Sequence, residues 1–271
     1  MPELPEVQTI VNDLAPEISQ QKILGCAIHR ESVLRTAPQE FVRIVVGAKF
    51  VSVKRVGKYI LFSLDERGWL LAHLRMTGKF ILQQAPIKVH PHDRVVFALE
   101  NGKSLIFSDV RCFGTLEHLS TLEDHIGLNR QGWDPWSSHL TASSLRQRLE
   151  KRRSPIKTVL LDQTLIAGLG NIYAAEILFD AAIDPQSKAN SLSLHQLKQL
   201  VFSIRKILDL ALIHNGTSIS DYRRVDDQTG EFQHFLKVYG KTGTACVRCS
   251  TLIIRIKQNQ RSTFLCPHCQ K

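Results

Sequence analysis

The sequence predicts an α+β protein of more than one domain: a β-sandwich-like N-terminal domain led by one helix, a helical domain, and a C-terminal β-hairpin zinc ribbon. Three observations predict it. Short apolar runs with strand composition fill residues from about 22 to 118, a helical period takes over from about 140, and two Cys-x2-Cys pairs close the chain. A length of 271 residues exceeds what one minimal core needs. The expected boundaries are 1–130, 131–236 with a loop at 215–232, and 237–271.

Residues 1–16 read as a helix, because Val7, Ile10, Val11 and Leu14 recur at i, i+3, i+4 and i+7. Pro5 suits a first turn and Pro16 marks the expected end. The run Gly47–Leu64 is rich in Val, Phe, Tyr and Ile, as strands are. Val95–Leu99 leads through Asn101-Gly102 into Ser104–Phe107, a hairpin signal that predicts a type I′ turn with positive φ at both central residues. Thr141 can cap a helix carrying Leu145 and Leu149, which stops at Lys151-Arg152-Arg153. A short helix over Ile156–Leu161 follows, then a break at Gly168-Leu169-Gly170-Asn171, then a helix over Ile172–Phe179. Ser193 with Gln196 forms a capping box for a helix whose stripe is Leu194, Leu197, Val201, Ile204, Leu208 and Ala211. A polar loop as long as 215–232 is usually functional or mobile.

The formal charge of +10 makes nucleic acid the first partner to consider, against the plainer reading of a solvated basic surface. After Glu231 no acidic residue occurs, while Lys237, Lys241, Arg248, Arg255, Lys257, Arg261 and Lys271 follow, a distribution suited to tracking phosphates. No apolar run approaches the length of a membrane span, and the opening MPELPEVQTI lacks the apolar core of a signal peptide, so a monomeric cytoplasmic protein is expected.

Cys246 and Cys249, then sixteen residues, then Cys266 and Cys269 have the spacing of a zinc ribbon. Four thiolates close a tetrahedral shell, so the metal is structural and stabilises a module too small for its own core. A disulfide pair is the alternative and fits a reducing compartment poorly. Cys26 and Cys112 remain as thiols. At the other end, methionine before proline is normally removed, which leaves Pro2 as a secondary amine. An α-amino group titrates at about 7.7–8.0, far below lysine, and is a nucleophile near neutral pH. Glu3 and Glu6 stand one turn apart beside it. The plainer reading is that Pro2, Glu3 and Pro5 simply start a helix whose dipole favours acids.

The opening Pro2-Glu3-Leu4-Pro5-Glu6-Val7 together with a terminal four-cysteine ribbon resembles bacterial formamidopyrimidine-DNA glycosylases. The resemblance extends through Val56-Gly57-Lys58-Tyr59, His73–Gly78, His92-Asp93, Asp109–Gly114, Gly168–Ala174, Val238-Tyr239-Gly240 and Gln260–Phe264, nearly the whole chain. It implies a helix–two-turn–helix in the helical domain and a bifunctional glycosylase and abasic-site lyase, acting on double-stranded DNA with oxidised purines or abasic sites. One zinc would be its metal, with no redox or nucleotide cofactor. By this resemblance Pro2 attacks C1′ of an extruded nucleotide, Glu3 assists opening of the sugar ring and Glu6 orders the site. Lys58 and Arg261 would contact phosphate and assist strand cleavage. Met76, Arg111 and Phe113 would fill the vacated space in the duplex, although periodicity alone reads Met76 and Phe113 as core.

His92, Arg152, Asn171 and neighbouring Lys157 correspond to DNA contacts, with a plain N-cap as the alternative for Asn171. His73, just before the wedge, is either a DNA contact or a core histidine. Thr217, Ser218 and Tyr222 lie in the segment that closes over the extruded base. Leu4, where the related endonuclease VIII type usually has glycine, favours purine lesions. Two departures stand out: Cys112 where arginine is common, and Asn215 for the first glycine of a frequent Gly-Gly. A pyrimidine-lesion enzyme of the endonuclease VIII type and a non-catalytic zinc-ribbon DNA-binding protein are the competing readings.

Overall fold

The computed structural model describes residues 1–219 and 222–271, so positions 220–221 of the expected 215–232 loop lie outside the described residues. The chain divides into two compact units, Met1–Asn129 with His214–Glu231, and Arg130–Ile213 with Phe232–Lys271. The loop that the sequence places in the helical domain therefore belongs with the first unit. The ribbon shares a unit with the helices.

In the first unit, helix α1 (Leu4–Ile18) precedes strand β1 (Ile23–Ile28), helix α2 (Pro38–Val45) and strands β2 (Phe50–Val56), β3 (Tyr59–Leu64), β4 (Gly68–His73), β5 (Gly78–Gln84), β6 (Asp93–Leu99), β7 (Lys103–Asp109) and β8 (Thr115–Leu119). A one-turn helix, α3 (Ile126–Asn129), ends it. The strands form two antiparallel four-stranded sheets, β1-β6-β7-β5 and β2-β3-β4-β8. Both sheets feed one core with the apolar face of α1, namely Val7, Ile10, Val11, Leu14 and Ile18. Phe41, Phe97, Phe50, Phe62, Phe80 and Phe107 run through it as a chain of ring contacts with centroids 5.3 to 6.4 Å apart. Such tilted and edge contacts add about 0.5–1.5 kcal/mol per pair to area burial. The strands are apolar on both faces in places because Leu61, Leu71 and Leu119 bury a small second cluster with Leu128 of α3.

Two local expectations change. Helix α1 continues through Pro16 to Ile18, because Pro16 and Asn12 are both exposed and water can take the carbonyl that Pro16 cannot bond. The Asn101-Gly102 connection is not type I′: only Gly102 has positive φ, at 77°, and Gly102 N–H bonds Leu99 O at 3.1 Å. This is a three-residue loop in which a type I turn ends in a left-handed glycine. The Asn101 side chain helps hold it, its Oδ1 accepting from Lys103 N–H at 3.1 Å.

In the second unit come helices α4 (Ala142–Leu149), α5 (Ile156–Leu160), α6 (Asn171–Asp180) and α7 (Leu194–Ile213), then strands β9 (Ile254–Gln258) and β10 (Arg261–Leu265). Thr141 caps α4 through Ser144 N–H at 3.1 Å, and Ser193 and Gln196 form the reciprocal box before α7 at 2.9 and 3.2 Å. Helix α6 is apolar all round and buried from Tyr173 to Phe179, so it is the centre of this unit. Its one buried acid, Glu176, accepts N–H groups from Lys237, Val238 and Tyr239 at 2.8 to 3.0 Å and ties the ribbon to the helix. Burial pushes the Glu176 carboxyl up, and those three amides oppose it. Arg248 of the ribbon caps the other end of α6, donating to Phe179 O at 2.8 Å. Among the described residues no helix is long and apolar enough to cross a membrane.

Candidate active site and nucleic-acid interface

Glu3 is the extended N-cap residue of α1, not a residue within its first turn. Glu6 reaches back so that its Oε2 accepts Glu3 N–H at 2.8 Å, while its Oε1 accepts Thr217 N–H at 2.7 Å. One buried carboxylate thus joins the start of the chain to the segment 211 residues later. Pro2 and Glu3 are buried beside it, behind an exposed Met1. Gly216 has φ +79°, and a Cβ there would lie 2.8 Å from Glu6 Oε1, so only glycine allows the approach. Asn215 is also left-handed, at +57°, the conformation asparagine tolerates best among residues with a side chain. That explains how it stands in for glycine.

Glu231 N–H bonds His214 O at 2.8 Å and closes the neck of this loop. Ser218 Oγ accepts Gly230 N–H at 2.9 Å and donates to Tyr222 O at 3.0 Å. Tyr222 and Val225 are buried in the first unit's core, and Arg224 forks onto Asp13 of α1 at 2.9 and 3.1 Å. Of the three loop residues expected over an extruded base, Thr217 and Tyr222 are buried anchors in this structure.

Lys58 sits in the tight turn between β2 and β3, where Gly57 supplies φ +58°, and it is buried. Arg55 holds that turn to α1, donating to Gln8 Oε1 at 2.9 Å and to Gly57 O at 3.2 Å. His73 lies edge-on to Tyr59, with ring centroids 4.7 Å apart, and its Nδ1 accepts Arg75 N–H at 3.0 Å. Burial, and then the charges of Arg75 and Lys58, push the His73 imidazole down to about 3, so it is neutral near pH 7.

Met76 and Phe113 are not core residues: they are 42% and 50% exposed, on the β4–β5 and β7–β8 turns. Arg111 joins them, with Nη1 3.2 Å from Met76 Sδ and its guanidinium 4.7 Å from the Phe113 ring centroid. The residue between, Cys112, has φ +55°. His92 is exposed and accepts at Nδ1 from Arg94 at 3.2 Å, which leaves the Nε2 hydrogen on its outer edge.

In the second unit, Gly168 turns the chain with φ +90°, and the Gln163 amide bonds Gly168 N–H, Leu161 O and Leu169 O at 2.8 to 3.0 Å. Gly170, not Asn171, is the N-cap of α6. The Asn171 side chain accepts from Lys157 Nζ at 2.7 Å and donates to Ser262 O at 3.0 Å. Lys157 is 1% exposed and also bonds Ser262 O and Thr263 Oγ1 at 2.9 and 2.7 Å. Expected among the DNA contacts, it is instead an internal post beneath the ribbon hairpin. Arg261 opens β10 after a two-residue turn whose residues Asn259 and Gln260 both have positive φ, and it is exposed. Arg152 is half-buried and paired to Asp162 at 2.5 Å.

The ligand sulfurs of Cys246, Cys249, Cys266 and Cys269 all lie within 4.8 Å of one another. Cys249–Cys266 and Cys246–Cys269 are 3.5 and 3.9 Å apart, close to the edge of about 3.8 Å for a tetrahedron with Zn–S of about 2.3 Å. Arg248 N–H and Cys269 N–H point at Cys246 Sγ and Cys266 Sγ at 3.4 Å, as donors to thiolates do. The donor set fits one structural zinc ion.

Residues 1–116 match the family model described as formamidopyrimidine-DNA glycosylase N-terminal domain, 131–223 its H2TH domain, and 243–271 a zinc finger found in FPG and IleRS. Formamidopyrimidine-DNA glycosylase of Carboxydothermus hydrogenoformans is 41% identical, with all of both chains covered, and that of Desulfitobacterium hafniense is 40% identical, again over all of both. The chain belongs to the formamidopyrimidine-DNA glycosylase family. Solved members superpose closely. A Lactococcus lactis FPG mutant bound to Fapy-dG DNA gives a TM-score of 0.93 at 36% identity, covering 100% of both chains. A MutM complex with carbocyclic 8-oxo-G DNA gives 0.92 at 36% over 100% of both, and L. lactis Fpg on abasic-site DNA gives 0.91 at 35% over 99% of both.

For this member of the glycosylase family, sequence reasoning passes over Asp109, Arg94 and Glu176. Asp109 closes the apolar run of β7 and Glu176 interrupts that of α6, a local conflict that singles out these two, whereas Arg94 follows the polar His92-Asp93 and carries no such signal.

Proposed function

We propose that this chain is a bifunctional DNA glycosylase and abasic-site lyase that excises oxidised purines, 8-oxoguanine and formamidopyrimidines, from duplex DNA. The observation that carries this reading is the Glu6 carboxylate, which holds the buried Pro2–Glu3 start of α1 against the neck of the 214–231 loop. A base extruded to that loop would present its C1′ to the Pro2 nitrogen once Met1 is removed. The amine displaces the base, and the C1′–O4′ bond then opens, with O4′ taking a proton from Glu3 as the nitrogen loses its own and becomes an iminium. Loss of a C2′ proton expels the 3′ phosphate, and a second elimination expels the 5′ phosphate. Lys58, set in its turn by Arg55 and Gly57, and Arg261 are the cations assigned to those phosphates. Exposed Met76, Arg111 and Phe113 are assigned to the space left by the flipped nucleotide, with Arg111 offered to the orphaned cytosine. The zinc holds the ribbon and takes no part in the chemistry.

Borohydride trapping tests this reading. With duplex DNA carrying 8-oxoguanine opposite cytosine, the mature protein should give a covalent protein–DNA adduct, and a variant with one extra residue before Pro2 should give none. No adduct from the mature protein, or equal adduct from both, overturns the proposal. Faster excision of thymine glycol than of 8-oxoguanine would overturn the purine assignment.

A further inference from the structure

The exposed side chains at 76, 111 and 113 rise from two turns, and one buried group serves both. Asp109 is fully buried at the end of β7. Its Oδ1 accepts the Thr77 hydroxyl and, at 3.1 Å, Arg111 N–H; its Oδ2 accepts Gly114 N–H at 2.7 Å. The turn that bears Met76 and the turn that bears Arg111 and Phe113 therefore hang from the same carboxylate. Its own backbone is fixed by His92 O, which accepts Asp109 N–H at 2.9 Å, and by Arg94 Nε, which donates to Asp109 O at 2.6 Å. Between the two clamped amides, Cys112 is held left-handed, a conformation disfavoured for a residue with a Cβ. Gly114 permits the arrangement, since a Cβ there would lie 2.7 Å from the Phe107 ring and 3.0 Å from Asp109 Oδ2.

We propose that Asp109 is a positioning residue that locks Met76, Arg111 and Phe113 into one preformed wedge, so that duplex opening does not wait for two turns to order themselves. Arg94 extends the lock to exposed His92, whose Nδ1 it holds at 3.2 Å. The inference rests on the assignment of those three side chains to the vacated duplex space.

The test uses full-length, zinc-loaded protein with Asp109→Asn, which keeps the shape but turns one acceptor into a donor facing an N–H or hydroxyl. Thr77→Val removes the hydroxyl that donates to Asp109 and accepts Arg111 N–H, leaves the carboxylate in place, and serves if the first variant folds poorly. A 2-aminopurine beside 8-oxoguanine reports unstacking, and excision is compared with cleavage of a preformed abasic site in the same duplex. Asp109→Asn should slow both the fluorescence rise and single-turnover excision by about 10-fold or more, with abasic cleavage falling less; Thr77→Val should shift both in the same direction by a smaller factor. Equal loss in excision and abasic cleavage, or an unchanged fluorescence rate in both variants, overturns the inference. Arg111→Ala keeps the two readings apart. If it slows unstacking and the other two variants do not, only the role of Asp109 fails. If it too changes nothing, the wedge assignment fails and the inference with it.

Discussion

His73 is an imidazole that the fold keeps neutral, and the cost of doing so depends on pH. In the unfolded chain it titrates near 6.5; in the folded protein, burial, Arg75, Lys58 and His125 push it down to about 3. Between those values the unfolded chain binds a proton that the folded protein refuses, so stability falls as pH drops below about 6.5 and is untouched above it. At about 1.4 kcal/mol per pH unit, His73 alone removes roughly 2 kcal/mol between pH 6.5 and pH 5. His73→Gln should lose that much less than the parent when urea unfolding at pH 7.5 and pH 5 is compared; parallel losses would contradict the account. The residue's type was readable from the sequence, but its state was not. That state comes from burial and from the charges of Arg75, Lys58 and His125, and of these only Arg75 lies beside it in the chain.

The loop His214–Glu231 shows how an element without regular structure is nevertheless fixed. Its neck is closed by Glu231 and His214, its first turn is pinned by Glu6, and its far side is anchored by Tyr222, Val225 and the Arg224–Asp13 pair. Gly216→Ala would place a methyl against Glu6 Oε1 and force a left-handed alanine, at a cost of about 1–3 kcal/mol concentrated in the neck. Base excision should fall at least about 10-fold in single-turnover assays, while cleavage of a preformed abasic site, which has no base for the loop to meet, should fall less. Equal losses would mean that the loop supports the fold and not the extruded base.

Elements with local rules were legible in advance: α1 from its apolar period, the Ser193–Gln196 box, the turn glycines, and the cysteine spacing. The misreadings were local rules settled elsewhere. Pro16 is accommodated because its helix face meets water, and Asn101 is held by its own side chain and by Glu17 O at 3.2 Å. Asp109, Glu176 and Lys157 were illegible as supports because their partners lie up to 32, 63 and 106 residues away.

The charge of +10 describes the whole molecule, but only exposed cations can displace counterions from DNA. Lys157 and Arg261 make the distinction measurable, because both are cations of the second unit and sequence alone assigns both to DNA. Lys157 spends its ammonium on Asn171, Ser262 and Thr263, whereas Arg261 stands exposed at the start of β10. Lys157→Met should strip partners from three polar groups around the hairpin and lower unfolding stability by about 2–4 kcal/mol. Arg261→Ala should leave stability within about 0.5 kcal/mol of the parent. Binding to undamaged duplex should respond in the opposite order. The slope of log K against log salt should shrink by about 1 for Arg261→Ala and stay at the parent value for Lys157→Met, measured well below its unfolding temperature. A slope that shrinks equally in both would mean that Lys157 reaches a phosphate and that the hairpin opens to let it. Parent slopes in both would remove Arg261 from the DNA-binding surface and leave the ribbon as a purely structural module.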